Sequence, residues 1–596
     1  MPITLSISDS FPSMESLRNS CALFAFENAF EYKVLKSTPR RYTIACRGEN
    51  CSWRLHASTS NASVRPTIKT LCPNHECTGL NHLTHVQASK AVIAAEIVDK
   101  VQEQPTYRPK EILQDIRREQ GVQISYKQAW RAKEKANEII NGSFETSYEL
   151  LPRYCRQIVE RNPNSTAFVE TFEENHKFRR IFISYGASAQ GFGHCRPILG
   201  LDGTHLKSRY LGILLTATAV DAYGALFPVA FGAVDAENDE NWLWFNQQLH
   251  TVIASHAATH LEQPDRLVFL SDRQKGLIEG VSAIFPQSPH AYCLRHLEEN
   301  MHKAGFKTPK LKSLLWEAAR APCQRQFNIV MDEIRAINPR CADWILATNP
   351  IHWASVYFPG RRFGHLTSNI AESLNAWILE ARDKPIFGML EHMRVQMMEW
   401  FAERAEKSLK DLGIIVQPIS SRIQGTLEFA RRYKLRRSTP FIFEVVSMKQ
   451  VTNPAQRLTY IVDLTQRSCT CQQWHLQGVP CAHALAGILF RRENPLDYVE
   501  GCFRTEVYRQ TYSVPILPIP DRVEWMPNFE VGDRDSNEAD SSDDELRIAP
   551  PSTKRPPGRP KKRRIRQESP GYVKKVHHCS RCHGAGHSRR TCQEPI

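Results

Sequence analysis

The spacing of apolar residues changes several times along the chain, and each change predicts a different kind of secondary structure. Between residues 30 and 72, four short runs of aromatic and β-branched residues alternate with Lys and Arg, as in half-buried strands. Residues 89–140 instead carry apolar residues at helical spacing, with Ser89 and Ser125 as candidate N-caps and Gly121 as a stop signal. We therefore predict a small β-rich region followed by three helices.

The third of these helices, at about residues 126–140, follows a short turn and is basic. This arrangement fits a helix-turn-helix, whose second helix enters the major groove of DNA. The exposed face of a scaffold helix has the same composition, so both interpretations remain open. The cationic residues of this helix are Lys127, Arg131, Lys133 and Lys135.

Residues 196–300 carry longer apolar runs, which predict a mixed α/β layer in the order β-β-β-α-β-α before a short strand. The helical pattern continues over residues 297–350, and a further helix is predicted at about 369–382. Residues 441–500 give two predicted strands, a Cys/His cluster and a short apolar helix. The expected fold class is a multidomain α/β protein with small zinc-binding modules.

Composition changes this picture mainly near the C-terminal end. Of the net charge of +14, residues 551–596 contribute +11, from 13 Lys/Arg and 2 Asp/Glu. A strong attraction to polyanions is therefore expected from this tail rather than from the whole surface. No apolar run reaches the roughly 18 residues of a membrane span, and the first thirty residues lack a secretory-signal pattern. No membrane partner is expected.

Two segments near this end are predicted to be disordered, the acidic residues 532–546 and the Pro-rich basic residues 550–570. Within the second, Gly558-Arg559-Pro560 resembles the centre of an AT-hook, whose Arg enters the narrow minor groove of A/T-rich DNA. A nuclear-import signal and a solvated charged linker have a similar composition. The candidate DNA-contacting residues are Arg559, Lys561, Lys562, Arg563 and Arg564.

Two aspartates each close a predicted apolar strand. If the strands that end at Asp202 and Asp272 are neighbours, both carboxylates emerge at one edge of the sheet. A third carboxylate, Glu372, shares one face of a predicted helix with Asn369 and Asn375. Three such groups suit a site for two Mg²⁺ or Mn²⁺ ions that act on a phosphodiester. From spacing alone, an Asp at a strand end is more often a cap or a turn residue.

Metal-ligand spacing also accounts for nine of the 17 cysteines, which favours zinc in a reducing compartment over disulfides. We predict three structural zinc sites. The first ligand set is Cys46, Cys51, His75 and Cys77. The second is Cys469, Cys471, Cys481 and His483. The third is Cys579, Cys582, His587 and Cys592.

The motifs around the carboxylates resemble those of Mutator-like (MULE/MuDR) DDE transposases. Leu201–Lys207 resembles the first catalytic motif of that family, Phe269–Asp272 the second, and Ser368–Asn375 the helix that bears the catalytic Glu. The resemblance implies an RNase H-like core with a helical insertion, in which Asp202, Asp272 and Glu372 are catalytic.

Three further residues are placed near this site by the same resemblance. Cys293 and His296 resemble the Cys-x-x-His mark of the family. We favour a role for this pair in packing or orientation near the active site, with DNA contact or catalysis as the alternative. His205, three residues after Asp202, is expected either to position a metal ligand or to form only a local hydrogen bond.

The zinc clusters carry resemblances of their own. The first is similar to the WRKY and GCM group of zinc fingers, which implies a DNA-binding domain that uses a β-sheet edge. The second resembles a SWIM zinc finger, for which DNA and protein remain alternative partners. The third has the spacing of a CCHC zinc knuckle, which implies single-stranded nucleic acid as a partner, with protein as the alternative.

Together these resemblances define the expected domains and function. The expected bounds are 12–85 for the WRKY/GCM-like domain, 88–142 for the helical region, 190–400 for the RNase H-like domain with its insertion at about 297–360, 440–500 for the SWIM finger, 530–575 for the disordered linker and 576–593 for the knuckle. The implied function is that of a nuclear transposase that binds transposon ends in double-stranded DNA and cuts and joins phosphodiesters, with self-association to bring two ends together. The competing interpretation is a domesticated, DNA-binding transcription regulator without transposition activity.

Overall fold

A computed structural model describes residues 4–60, 63–77, 84–104, 107–256, 266–447, 459–525 and 548–552. The predicted zinc knuckle and the basic residues 554–564 lie outside these ranges. Among the helices of the described ranges, none is both long and apolar enough to cross a membrane.

The N-terminal region is a helix packed on a four-stranded antiparallel sheet, in the order β1-β2-β3-β4. The four strands predicted between residues 30 and 72 are present, whereas the helix before them was not predicted. The fully buried Trp53 and Leu55 anchor the core of this region. Its elements are α1 (Met14–Glu27), β1 (Tyr32–Ser37), β2 (Arg41–Cys46), β3 (Arg54–Ser60) and β4 (Ser63–Cys72).

Three helices follow, as the sequence predicts: α2 (Lys90–Glu103), α3 (Pro109–Gln120) and α4 (Tyr126–Asn141). The Ser89 hydroxyl accepts a hydrogen bond from the Val92 amide at 3.3 Å, which caps α2 as expected. Gly121 ends α3 with φ at 67°, a left-handed conformation that suits glycine.

The basic face of α4 is only partly open to solvent. Lys133 is half-buried, and Lys135 pairs with Glu138 at 3.0 Å. Lys127 and Arg131 are exposed. Two of the four cations on which the helix-turn-helix interpretation depends are therefore already engaged within the protein.

A seven-stranded mixed sheet forms the centre of the protein, in the order β11-β10-β7-β8-β9-β6-β5. Strand β10 is parallel to β7 and β11, and the other pairs are antiparallel. The strands are β5 (Thr166–Thr171), β6 (Phe178–Ser184), β7 (Arg196–His205), β8 (Ile213–Val220), β9 (Leu226–Val234), β10 (Val268–Ser271) and β11 (His290–Tyr292). The helices along this stretch are α5 (Thr146–Glu149), α6 (Leu151–Arg161), α7 (Gly186–Phe192), α8 (Asp239–His256) and α9 (Lys275–Ile284).

The sheet is wider than the sequence predicts. Strands β5 and β6 precede the predicted start at residue 190, yet they extend the sheet from β9 outwards. The β-β-β-α-β-α order predicted for residues 196–300 is present from β7 through α9.

A helical insertion with its own hydrophobic core lies between β11 and the helix that carries Glu372. Its helices are α10 (Leu294–Lys303), α11 (Pro309–Arg320), α12 (Gln324–Ile337) and α13 (Pro339–Ala347). The chain then returns to the central core through α14 (Asn369–Trp377), α15 (Ile386–Lys410) and α16 (Gln417–Ala430).

The C-terminal zinc module is a four-stranded antiparallel sheet, in the order β12-β13-β14-β15. Its strands are β12 (Tyr433–Arg437), β13 (Ile442–Ser447), β14 (Thr459–Asp463) and β15 (Ser468–Cys469). The helices that follow are α17 (Gln473–Gln477), α18 (Ala482–Arg491), α19 (Thr505–Thr511) and α20 (Arg522–Trp525). Beyond α18 the chain docks back on the central core, where Tyr508 and Tyr512 are buried.

Candidate active site and zinc centres

The structure brings the two predicted aspartates to one edge of the central sheet. β7 and β10 are parallel neighbours, with Leu270 level with Gly200, so Asp272 follows level with Asp202 two residues further on. The Asp202 Oδ1 atom accepts a hydrogen bond from the Gly203 amide at 3.0 Å. The Asp272 Oδ1 atom accepts one from the Gln274 amide at 3.1 Å.

This proximity changes the acidity of Asp202. Burial, together with the negative charge of Asp272, raises the pKa of Asp202 to about 7. Two neighbouring carboxylates favour a proton on one of them unless a cation compensates their charge. Carboxylate oxygens are hard ligands, which suit Mg²⁺ or Mn²⁺.

Helix α14 docks against the same strand end. The Asn375 Nδ2 atom donates a hydrogen bond to Asp202 Oδ2 at 2.7 Å. A Cβ atom on Gly200 would lie 3.4 Å from the Ile370 Cβ atom, so the helix packs directly on β7 at this position. The backbone of Glu372 lies one turn before Asn375 in α14, whereas its side chain is outside the described part of the structure.

A further carboxylate, Glu237, lies at this edge and was missed by the sequence analysis. β9 runs in the same direction as β7, because each is antiparallel to β8, so Glu237 follows the corresponding end of its strand. Its Oε1 atom would be 3.0 Å from a Cβ on Gly203, and it accepts a hydrogen bond from Trp242 Nε1 at 3.3 Å. Burial and the charge of Asp272 raise the pKa of Glu237. The available sequence signal was the pair of acidic residues, Asp235 and Glu237, that follows the third apolar strand.

Cys293 and His296 form a polar pair beside the carboxylates. The buried Cys293 sulfur accepts a hydrogen bond from the Ser368 amide at 3.2 Å, which links the end of β11 to the start of α14. The hydrogen bond with Cys293 raises the pKa of His296 to about 9, and the charge of Asp272 adds to this rise. The imidazolium charge in turn lowers the pKa of Asp202.

His205 is exposed on β7, and its electrostatic interaction with Glu237 lowers the pKa of that carboxyl. Its position therefore relates it to the carboxylate that the sequence analysis missed.

The first predicted zinc cluster is assembled. Ligand atoms of Cys46, Cys51, His75 and Cys77 all lie within 4.8 Å of one another. The Cys46 and Cys77 sulfurs are 3.6 Å apart, and the Cys51 sulfur is 3.4 Å from His75 Nδ1. Tetrahedral zinc with Zn–S bonds of ~2.3 Å separates its ligand atoms by about 3.7 Å. The geometry therefore fits zinc.

Small and aromatic neighbours shape this centre. The ring of His75 stacks on the buried Trp53 at 5.4 Å and contacts Phe30 at 4.1 Å. A Cβ on Gly48 would lie 2.7 Å from the Cys77 Cβ, so only glycine allows the two metal-binding segments to approach this closely. Another cysteine close by in sequence, Cys72, is exposed and outside the cluster.

The second predicted cluster is also assembled, and it is more deeply buried. Cys469, Cys471, Cys481 and His483 bring their ligand atoms within 4.8 Å of one another. The His483 Nδ1 atom is 3.7 Å from the Cys469 sulfur and 3.8 Å from the Cys481 sulfur. The predicted short apolar helix is α18, and it begins at this centre, where the Cys481 sulfur accepts a hydrogen bond from the Ala484 amide at 3.5 Å.

The remaining predicted site residues lie outside the described ranges. They are the knuckle ligands Cys579, Cys582, His587 and Cys592 and the tail residues Arg559, Lys561, Lys562, Arg563 and Arg564.

Three family models match separate parts of the chain. Residues 198–300 match the MULE transposase domain, residues 3–68 match the MuDR family transposase, and residues 459–486 match the SWIM zinc finger. No curated protein matches the chain.

The matches cover the described sites unequally. The first includes Asp202, Asp272 and Glu237 but ends before Glu372. The second ends before His75, and the third contains all four ligands of the buried cluster.

Proposed function

We propose that this chain, which carries the domains of a Mutator-like transposase with a SWIM zinc finger, cuts and joins DNA phosphodiesters at the edge where Asp202 and Asp272 meet. The observation that carries this proposal is the level placement of the two aspartates on parallel strands, with the Glu372 helix docked on one of them. DNA is the substrate because the MULE and MuDR matches both indicate a transposase.

The topology supports an RNase H-like core. Strands β7, β8 and β9 form a meander, and β10 and β11 are added on the other side of β7 through helical crossovers. This order places the ends of β7, β9 and β10 at one edge, where the carboxylates gather.

Asp202, Asp272 and Glu372 would hold two Mg²⁺ or Mn²⁺ ions. The raised pKa of Asp202 is consistent with this, because the adjacent carboxylates leave a negative charge that a cation would neutralise. When bound, the two ions activate an attacking oxygen and stabilise the leaving oxygen of the phosphodiester.

The protein's own groups would then orient the reaction. Asn375 fixes the Asp202 carboxylate through its 2.7 Å hydrogen bond, and His296 contributes positive charge close to the site. Water attacks phosphorus at the element boundary, and the bond to the 3′-oxygen breaks to release a 3′-hydroxyl. That hydroxyl attacks a target phosphodiester and displaces a new 3′-hydroxyl.

Excision of a marked element from a donor plasmid tests the proposal. The element carries at both ends the DNA that flanks this gene, and wild type is compared with Asp202→Ala, Asp272→Ala and Glu372→Ala. We expect each variant to lose at least ~100-fold in excision, since even groups that only support a metal ligand are worth 10–100-fold. A matched control is Glu173→Ala, which removes an exposed carboxylate on the loop between β5 and β6.

No excision by the wild type, with zinc present and flanking DNA still bound, would contradict the proposal. That outcome would favour a domesticated regulator that binds DNA without cutting it. Equal excision by wild type and all three variants would place the chemistry elsewhere.

We also propose that the protein acts in the nucleus, that it self-associates on DNA, and that its knuckle binds single-stranded nucleic acid. The basic run at residues 554–564 supports nuclear import, and transposition requires two ends to meet. A fluorescent fusion that loses nuclear accumulation when this run is neutralised tests the first. A DNA complex that contains only one copy of the chain would contradict self-association. A knuckle variant with unchanged affinity for single-stranded nucleic acid would contradict the proposed role of the knuckle.

A further inference from the structure

A strongly basic strand at the edge of the C-terminal zinc module has no role in the proposed cleavage. Residues 431–447 contain five Lys and Arg and one acidic residue, Glu444. Most of the cations lie on or next to β12, which is the edge of its sheet and pairs with β13. We call the segment from Arg431 to Arg437 the basic strand.

The basic strand has one buried side and one open side. Tyr433 and Leu435 are half-buried, and the Tyr433 ring contacts the zinc-ligand candidate His483 at 4.7 Å. Lys434 and Arg436 alternate with them and are exposed. Successive residues on one side of a strand are about 6.6 Å apart, so these cations form a regular row.

Among the described residues, most cations of the basic strand have no acidic partner. Arg436 pairs with Glu444 at 3.0 Å, but both side chains are exposed, so water screens the pair. Among the residues that the structure describes, no carboxylate lies within ion-pair distance of Arg431, Lys434 or Arg437. Exposed cations on a rigid support, of which only Arg436 is paired, are suited to a polyanion.

We propose that the basic strand binds the phosphate backbone of double-stranded DNA. The zinc module holds it rigidly, since β12 is anchored through Tyr433 at the metal centre and through its ladder with β13. This surface goes beyond the proposed cleavage, although the choice of DNA as the polyanion follows from the transposase matches. Phosphate contacts of this kind position DNA without reading its sequence.

A different physical role must be distinguished from DNA binding. Lys and Arg on an edge strand also prevent it from pairing with other chains and aggregating. In that case neutralising the cations would lower solubility and leave DNA affinity unchanged.

The experiment measures affinity for a duplex of arbitrary sequence as salt is varied between roughly 50 and 200 mM, using the full-length, zinc-loaded protein. The test variant is Lys434→Gln/Arg436→Gln/Arg437→Gln. Each lost phosphate contact reduces the slope of log affinity against log salt by about 0.9, so we expect a slope lower by roughly 3 and an affinity 10- to 100-fold weaker at low salt. An unchanged slope would overturn the proposal.

The matched control is Lys303→Gln/Lys307→Gln/Arg340→Gln, which removes the same charge from exposed positions of the helical insertion. A control that loses as much slope as the test variant would show a general charge effect and overturn the proposal. The charge-conserving Lys434→Arg/Arg436→Lys/Arg437→Lys is expected to keep the wild-type slope.

A second measurement does not depend on the folding of a variant. In wild-type protein, DNA is expected to protect Lys434 from acetylation, read by mass spectrometry, whereas Lys303 stays reactive. Equal reactivity of Lys434 with and without DNA would overturn the proposal. Because no readout requires cleavage, failure here is separate from failure of the excision experiment.

Discussion

At the scale of single residues, the candidate active site is held in an electrostatically unfavourable state. Asp202 has a pKa of about 7 because it is largely buried and faces Asp272. The folded chain therefore binds a proton there that the unfolded chain releases at a lower pH. Function and stability conflict at this position, as is common for sites built to bind charge.

Asp202→Asn is expected to stabilise the protein in the absence of Mg²⁺. Because the folded pKa is raised above the ordinary 3.8, the stability of wild type falls as pH rises from about 4 to about 7. The variant escapes this loss, so we expect it to exceed wild type by roughly 1–3 kcal/mol at pH 8 and to match it near pH 4. Urea unfolding of zinc-loaded protein at both pH values measures this.

Asp115→Asn is the matched control, and its expected effect on the free energy of unfolding has the opposite sign. The hydrogen bond from Tyr107 lowers the pKa of Asp115, so its charged form stabilises the fold. This substitution is expected to destabilise the protein at pH 8. If Asp202→Asn also destabilises the protein at pH 8, the ionised Asp202 carboxylate does not carry the electrostatic cost inferred from its burial beside Asp272.

Asn375→Ala is expected to reduce excision about 10- to 100-fold without unfolding the protein. The hydrogen bond from Asn375 lowers the pKa of Asp202, so its loss raises that pKa. The acidic limb of the pH–excision profile should therefore move to higher pH. A lower excision rate with an unmoved profile would restrict Asn375 to a packing role.

At the scale of elements, the sequence predicted correctly those features that depend on residues close together in the chain. The caps at Ser89 and Ser125 and the stop at Gly121 define α2, α3 and α4 because capping depends on neighbouring backbone groups. The metal spacing located two Cys/His clusters because the ligands come as close pairs. Strands β5 and β6 were missed: β6 joins the sheet by pairing with the distant β9, and β5 pairs in turn with β6.

The C-terminal zinc module provides an element-scale prediction. Cys481→Ser removes both a ligand and the group that caps α18, so we expect the chain to lose one zinc ion and α18 to lose protection from hydrogen exchange. Zinc analysis and exchange mass spectrometry measure the two effects. Cys502→Ser, at a nearby cysteine outside the cluster, should keep the full zinc content.

At the scale of the whole molecule, the segment after the zinc module fastens that module to the central core. The buried Tyr512 hydroxyl donates to Asp221 Oδ2 at 2.9 Å, and Arg404 Nη1 donates to the same hydroxyl at 2.9 Å. This network joins a turn of the central sheet, helix α15 and the residue after α19, which lie far apart in sequence.

Tyr512→Phe is expected to destabilise the protein by about 1–3 kcal/mol, because it leaves the buried Asp221 carboxylate without one of its donors. The midpoint of urea unfolding measures the loss. The control is Tyr498→Phe, whose hydroxyl bonds to Glu493 near the surface and should cost under ~1 kcal/mol. Equal losses would argue against a special role for the buried network.

The sequence by itself determined the features that depend on neighbouring residues: the strand and helix periods, the caps, the ligand pairs of both described zinc centres and the motifs around Asp202 and Asp272. The tertiary structure alone decided which distant groups meet. It placed Glu237 beside Gly203 and Asn375 on Asp202, and it joined Tyr512 to Asp221. Such contacts follow from strand order and packing, where residues far apart along the chain become neighbours, and no local pattern encodes that pairing.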